Sequence, residues 1–342
     1  MSDDDHILLA HGGGGQLTAE LIRQVVLPAL GPACRQEPTR LTDSAQVGLA
    51  GGPVVFTTDS YVVKPLEFPG GDIGKLAVCG TINDLAVAGA QPRAISLALV
   101  LEEGLEIELL RRVLVSAGRA AHDAGVTIAT GDTKVVERGA ADGMVINTAG
   151  VGTLLKGAEV GFDRIAPGDR IIITGPLGEH GMAVMSRREG LGISADLASD
   201  CAAIHELSAA LVGELGPAVH FMRDPTRGGL AATLAELADA AGCDIEIAET
   251  AIPVNPTAQA VAEMLGLDLL AAANEGKLLA VIAPEAAERA VSVLAAFPLA
   301  RRAAVIGQVT RRSDYPLVEM LTRAAGRRVV QMPYGEELPR IC

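Results

Sequence analysis

The chain has no tryptophan, three tyrosines and five phenylalanines among its 342 residues. It therefore lacks the aromatic platforms on which unpaired bases stack. Basic charge is short as well: 28 lysines and arginines against 42 acidic residues leave a formal charge of −14. Binding a phosphate backbone needs the opposite sign, so nucleic acid is excluded as a partner class. No apolar run approaches the ~20 residues of a membrane-spanning helix, so no membrane partner is expected. The most apolar stretch, Leu85 to Leu101, is interrupted by Gln91, Pro92 and Arg93. The N-terminus, Ser2-Asp3-Asp4-Asp5-His6, is acidic and has no apolar signal core. Five cysteines (Cys34, Cys79, Cys201, Cys243, Cys342) are odd in number and never spaced as CxxC. That spacing speaks against a disulfide framework and a structural zinc site, and the expected compartment is a reducing cytoplasm.

What is present is a globular chain, 49% hydrophobic and 20% charged, long enough for about two domains of roughly 150 residues. With so few aromatics, the cores must be close-packed Ala, Val, Leu and Ile. Helical spacing covers Leu17 to Leu30, after a run of glycines. Val54 to Thr58 reads as a strand, and Asp72 as the N-cap of a helix reaching Gly89. Strand Ala94–Leu101, helix Glu106–Ala124, and strands Val126–Thr130 and Met144–Leu154 follow. A Gly/Asp/Pro-rich stretch from Lys156 to Asp169 marks the domain boundary. The second half reads as strand Arg170–Thr174, helices Glu179–Arg188, Asp200–Leu215 and Arg227–Ala241, then strand Asp244–Ala248. Helix Pro256–Leu265, strand Leu278–Ala283, helix Pro284–Ala296 and strand Ala303–Val309 complete it. Both halves are thus α/β (α+β) layers. The division expected is an N-terminal arm (1–42), a first domain (43–156), a second (157–331) and an extended tail (332–342).

Two features carry chemistry. The segment His11-Gly12-Gly13-Gly14-Gly15-Gln16 runs into a helix, as a phosphate-binding turn does and as a flexible arm also does. It is neither a P-loop nor a dinucleotide fingerprint. The second feature is a set of aspartates at element ends. Asp59 closes a strand, Asp132 follows one in Gly131-Asp132-Thr133-Lys134, and Asp43 and Asp224 lie in loops. Asp84 sits within an apolar helix, where a carboxylate needs a partner. Single aspartates after strands also serve as turn or cap residues. As a group, hard oxygen ligands of this kind suit Mg²⁺ bridging phosphates. Cys79 and Cys243 read as small core residues, and His180, His205 and His220 as structural.

The runs Thr57-Thr58-Asp59-Ser60, Gly80-Thr81-Ile82-Asn83-Asp84-Leu85-Ala86-Val87-Ala88-Gly89-Ala90 and Gly131-Asp132-Thr133-Lys134-Val135 resemble the ATP-binding superfamily of aminoimidazole ribonucleotide synthetase. Arg223-Asp224-Pro225-Thr226-Arg227-Gly228-Gly229 is similar to its acidic second-domain loop. The resemblance implies a two-domain fold that dimerises through the first domain, with ATP between the domains. It implies Mg²⁺ on Asp43, Asp59, Asp84, Asp132 and Asp224. Gly12, Gly13, Gly14, Gly15, Lys64, Phe68, Asn83 and Thr133 would line the nucleotide site, although Phe68 and its neighbour Tyr61 equally suit a core.

The chain finishes Leu338-Pro339-Arg340-Ile341-Cys342. A thiol on a mobile tail is exposed to oxidation and suits an arm that carries a covalent group. With the runs above, this ending resembles the HypE family of hydrogenase maturation factors along essentially the whole chain. That implies a carbamoyl group placed on Cys342 by a HypF carbamoyltransferase, then its ATP-driven dehydration to a thiocyanate. The cyano group would pass to iron on a HypC–HypD complex, for a [NiFe] centre. By the same resemblance Glu275 is the general base and Lys134 the lysine paired with it. A nearby ammonium lowers a Glu pKa, so the two are expected to act as a proton relay. Two other classes remain open on the sequence. One is a small-molecule kinase or selenophosphate synthetase, though the glycine loop lacks the latter's Cys. The other is a non-catalytic, ATP-switched scaffold.

Overall fold

The computed structural model describes residues 15–21, 23–24, 45–49, 52–192, 197–335, 338 and 341–342. Gly12, Gly13, Gly14 and Asp43 lie outside the described residues. A short helix, α1 (Gln16–Leu21), precedes a five-stranded sheet in the order β1 (Ala45–Leu49), β2 (Gly52–Tyr61), β7 (Met144–Leu154), β5 (Ala90–Glu102), β6 (Thr127–Val136). Only β5 and β6 pair in parallel. A small ribbon, β3 (Glu67–Phe68) and β4 (Gly71–Asp72), leads into α2 (Ile73–Val87), and α3 (Ile107–Asp123) lies beside it.

Asp72 caps α2 as expected, its carboxylate accepting from the Gly74 and Lys75 amides at 2.8 and 3.0 Å. Every residue of α2 except Lys75 and Asp84 is buried. A helix apolar on all sides must be covered on all sides. It packs on β2, β5 and β7 with one face and meets α5 (His205–Leu215) and β9 (Val219–Arg223) with the other.

The second half holds a seven-stranded sheet. Its order is β14 (Arg327–Val330), β13 (Val318–Leu321), β10 (Cys243–Ala248), β12 (Ala304–Arg312), β8 (Arg170–Ile173), β11 (Leu279–Ile282), β9. Helices α4 (Glu179–Arg188), α6 (Gly229–Ala241), α7 (Pro256–Leu265) and α8 (Ala287–Ala295) complete it. Three differences from the sequence reading matter. The strand that carries Asp132 and Lys134 runs to Val136, so both sit within it. Asp59 lies inside β2, two residues before its end. The helix expected from Asp200 begins at His205, which leaves Asp200 free to serve a loop. Strands β9, β13 and β14 were outside the sequence reading.

Apolar clusters join the halves, and Ala86 and Val87 of α2 pack with Ile172 and Leu278 of the second. Tyr61, Phe68, Leu76 and Cys79 of the first pack with Val184, Cys201 and Ala273 of the second and with Ile341 of the tail. Pro333, earlier in the tail, accepts a hydrogen bond from the Gln16 amide at 2.9 Å. A side chain at Gly15 would strike that same Pro333 carbonyl, so the arm meets the tail only because residue 15 is glycine.

Candidate functional site

The site lies where β2, α2, the 199–204 loop, the 223–228 loop and the 272–277 segment meet. Strand alternation puts Val55, Thr57, Asp59 and Tyr61 on the face of β2 turned to α2, where the first two and Tyr61 are buried. Thr57 donates to Asp84 at 2.7 Å, supplying the partner that a carboxylate in an apolar helix requires. Tyr61 is buried beside Thr81, and its hydroxyl pKa is pushed well above the ordinary value by burial, then by Asp59 and Asp84.

Opposite them, Asn274 is fully buried and ties three loops together. Its side-chain oxygen accepts from the Gly178 amide at 2.7 Å, and its amide donates to the Pro225 and Ala272 carbonyls at 3.0 Å each. The Glu275 and Gly276 amides donate to the two oxygens of Asp200, both at 3.2 Å. A Cβ on Gly276 would collide with the Asp200 carbonyl, so this close approach demands glycine there. Lys277 pairs with Glu179 at 3.0 Å and Asp200 at 3.2 Å, both largely shielded from solvent. Burial would raise the Asp200 pKa, but Lys277 and His180 hold it below its usual value.

Glu275 is 2% exposed, and its Oε1 has no hydrogen-bond partner among the described residues. Its pKa is raised well above the carboxylate range, first by burial and then by Asp224, Asp200 and Asp59, with Arg227 opposing. The expected ammonium is not what governs it. Lys134 is exposed on the edge strand β6, and its ion pair is with Asp132 at 3.5 Å. The sequence-based pairing of Lys134 with Glu275 is thus not formed in this chain, because β6 lies at the far edge of the sheet from β2.

Cys342 is half-buried within the site. Burial pushes its thiol up, Glu275 adds to this, and Arg227 pulls the other way. The Arg227 guanidinium is in turn held charged above all by Cys342, then by Asp59 and Glu275. The fold therefore gathers Cys342, Glu275, Asp59 and Asp224 around Arg227, with Asp84 one hydrogen bond behind β2. Asp132 and Lys134 stand apart from them.

The residues expected to hold nucleotide are dispersed. Asn83 is fully buried and occupied: it donates to the Ala202 and Glu275 carbonyls at 3.1 and 3.2 Å and accepts from the Ile204 amide at 2.9 Å. It works as a tie between the halves. Phe68 is buried with its ring edge-on to His180, at 5.2 Å between centroids. Lys64 is exposed and paired with Asp142 at 3.2 Å, and Thr133 lies in β6. Among the described residues, no three His, Cys, Asp or Glu side chains form a ready-made metal cage. Sequence reasoning missed Arg227, Asp200, Lys277 and His180. The Arg-Asp-Pro-Thr-Arg-Gly-Gly run contained the first of these, Lys277 lies two residues after Glu275, Asp200 was read as a helix start, and His180 as structural.

This architecture, two α/β units with an acidic cleft between them, is that of the AIR-synthase-related proteins. The family model for the N-terminal domain of AIR synthase related protein matches residues 42–154, and that for its C-terminal domain matches residues 166–318. Carbamoyl dehydratase HypE of Rhodobacter capsulatus is 46% identical over 339 residues, covering 99% of each chain. A crystal structure of a HypE–HypF complex matches with a TM-score of 0.85 at 41% identity, over 92% of this chain and 99% of that one. A structure of the hydrogenase maturation protein HypE in complex with ATP matches with a TM-score of 0.82 at 44% identity, over 98% and 100%. The chain belongs to the carbamoyl dehydratase HypE family, the enzymes of hydrogenase maturation. The kinase and selenophosphate synthetase readings give way to it.

Proposed function

We propose that this chain dehydrates a thiocarboxamide carried on its own Cys342 to a thiocyanate, using ATP. The observation that carries this reading is the tail itself: the last residue is docked beside Glu275 and Arg227, in the acidic cleft. Hydroxide is too poor a leaving group to depart from a carboxamide. Transfer of the ATP γ-phosphoryl group to the carboxamide oxygen, with release of ADP and one N–H proton, converts that oxygen into a phosphate ester. Glu275 then takes the remaining N–H proton as the C–O bond breaks, leaving S–C≡N and phosphate. Burial and neighbouring acids make Glu275 a strong proton acceptor once ionised, and the Arg227 charge favours that ionised form. Arg227, close enough to act electrostatically on both Glu275 and Cys342, can offset negative charge on the departing phosphate. The docked tail, with Ile341 in the same apolar cluster as Phe68, would keep water from the phosphorylated group.

The acid-rich cleft fits a divalent cation. Asp59 acts on both Tyr61 and Glu275, with Asp84 adding to the first and Asp224 to the second, a concentration of negative charge that a cation would relieve. Mg²⁺ ordinarily takes one or two carboxylates and fills its shell with water and phosphate oxygens, so a closed protein cage is not required. When bound, it would neutralise charge on the transferring phosphoryl group. Asp59, Asp84 and Asp224 are its proposed ligands from the described residues. Lys134 is kept as the proposed proton partner of Glu275, a role that requires a state in which its pair with Asp132 is broken.

The carbamoyl donor is a HypF-type carbamoyltransferase, in line with the relative's complex, and the cyano acceptor is a HypC–HypD iron scaffold. A homodimer through the first sheet is supported by its outer face, where Phe56 (43% exposed) and Val151 (37%) stand opposite one another on β2 and β7. The test is the mass of the C-terminal peptide released by cleavage after Glu337. Cyanate should add about 43 Da at Cys342, and Mg-ATP should then remove about 18 Da. A carbamoylated peptide that keeps its mass while ATP is hydrolysed would refute the reading.

A further inference from the structure

One side chain, read from the sequence as structural, joins the tail to the body of the protein. His180, on α4, is fully buried, and both of its ring nitrogens are engaged. Nε2 lies 2.8 Å from the carbonyl oxygen of Ile341, and Nδ1 lies 2.8 Å from Ser199 Oγ. The Cys201 amide donates to that same serine oxygen at 3.0 Å. A carbonyl can only accept, so Nε2 carries the proton. The neutral ring then accepts at Nδ1 from the serine hydroxyl, whose oxygen accepts from Cys201. Every donor in this chain has an acceptor. Burial also holds the imidazole below its ordinary pKa, the neutral form this arrangement needs.

The bond falls one residue from the reactive thiol and goes to main chain. It therefore fixes where the backbone of the tail lies, independently of the side chain at 341. Ile341 is 3% exposed, in the apolar cluster shared with Phe68, whose ring stands edge-on against His180.

We propose that His180, braced by Ser199, is a latch that holds the tail in its docked position and so sets Cys342 against Glu275 and Arg227. It is a positioning residue and does not touch the reacting atoms. The proposal rests on the dehydratase reading above, in which one thiol must be loaded outside the cleft and dehydrated inside it. Weakening the latch should therefore move the two halves of the cycle in opposite directions: the thiol becomes more accessible, and dehydration slows. A defect of phosphoryl transfer alone would not produce that split, and general loosening is told apart by the buried cysteines Cys79, Cys201 and Cys243.

The test uses the full chain as wild type, His180→Leu, His180→Gln and Ser199→Ala. Initial alkylation of Cys342 by iodoacetamide, without nucleotide, is followed by the mass of the C-terminal peptide. Loss of water from the cyanate-loaded peptide after Mg-ATP is followed in parallel, with the thermal midpoint of each variant. His180→Leu should be alkylated about fivefold to tenfold faster and dehydrated more slowly by a similar factor, the effect of one buried hydrogen bond. The amide of His180→Gln can donate where Nε2 did and should restore both rates toward wild type, while Ser199→Ala should fall between. Wild-type alkylation in His180→Leu at an unchanged midpoint overturns the latch. So does equal acceleration at Cys79, Cys201 and Cys243, which marks general loosening. If His180→Leu fails to fold, Ser199→Ala decides on the same two rates. If the wild-type peptide never loses water, the dehydratase reading fails, while the alkylation rates still decide the latch.

Discussion

The raised pKa of Glu275 can be tested through stability, apart from catalysis. In the unfolded chain this carboxyl ionises near its ordinary value of 4.5, whereas in the fold burial, Asp224, Asp200 and Asp59 keep it protonated to higher pH. Between those two pKa values the native state holds a proton that the unfolded state has released. Unfolding free energy therefore falls as pH rises, by up to about 1.4 kcal/mol per pH unit, until the native carboxyl ionises. Glu275→Gln preserves the shape of the neutral acid and removes its titration. The stability of the variant relative to wild type should be constant below about pH 4.5 and then rise with pH until the native carboxyl ionises. Urea midpoints read by circular dichroism, with EDTA and without nucleotide, measure the difference at about pH 5, 6 and 7. A flat difference, or one that shifts in favour of wild type as pH rises, would show that the native carboxyl is already ionised. The electrostatic account of its basicity would then be wrong.

Lys134→Ala should leave ATP binding intact while slowing dehydration about a hundredfold or more, the scale of a lost proton-transfer group. Calorimetry reads the first quantity and the C-terminal peptide the second; retained dehydration removes Lys134 from the mechanism. Lys277→Met strips the cation from Asp200 and Glu179, which face it at 3.2 and 3.0 Å with little solvent. Breaking such a buried pair should cost about 3–5 kcal/mol in urea unfolding. Pairing it with Asp200→Asn should recover part of the loss, and a cost below about 1 kcal/mol would mean that solvent already screens the pair.

Much of the fold was legible from local pattern. Met144–Leu154, Glu179–Arg188 and Pro256–Leu265 have the bounds their spacing indicated, and Asp72 caps the helix it precedes. Such features depend on residues two to four apart. The kinds of chemistry were legible too: carboxylates in Gly/Thr-rich runs, a basic and acidic loop at Arg223 to Gly229, and a thiol at the very end. What those groups do to one another was not. Asp132 and Lys134 read as members of the cleft, whereas sheet order sets β6 at an edge, three strands from β2. Asn83 looked like a ligand group, and the fold uses it in three hydrogen bonds that tie the two halves. His180 and Ile341 are 161 residues apart, and no spacing rule could join them. The sequence by itself determined most of the elements and the types of side chain on offer, because propensity, capping and side-chain chemistry are local. Only the tertiary structure decided which carboxyl is pushed up, which cation opposes it and what holds the tail, because burial and electrostatic fields arise from segments that meet only after the chain has folded.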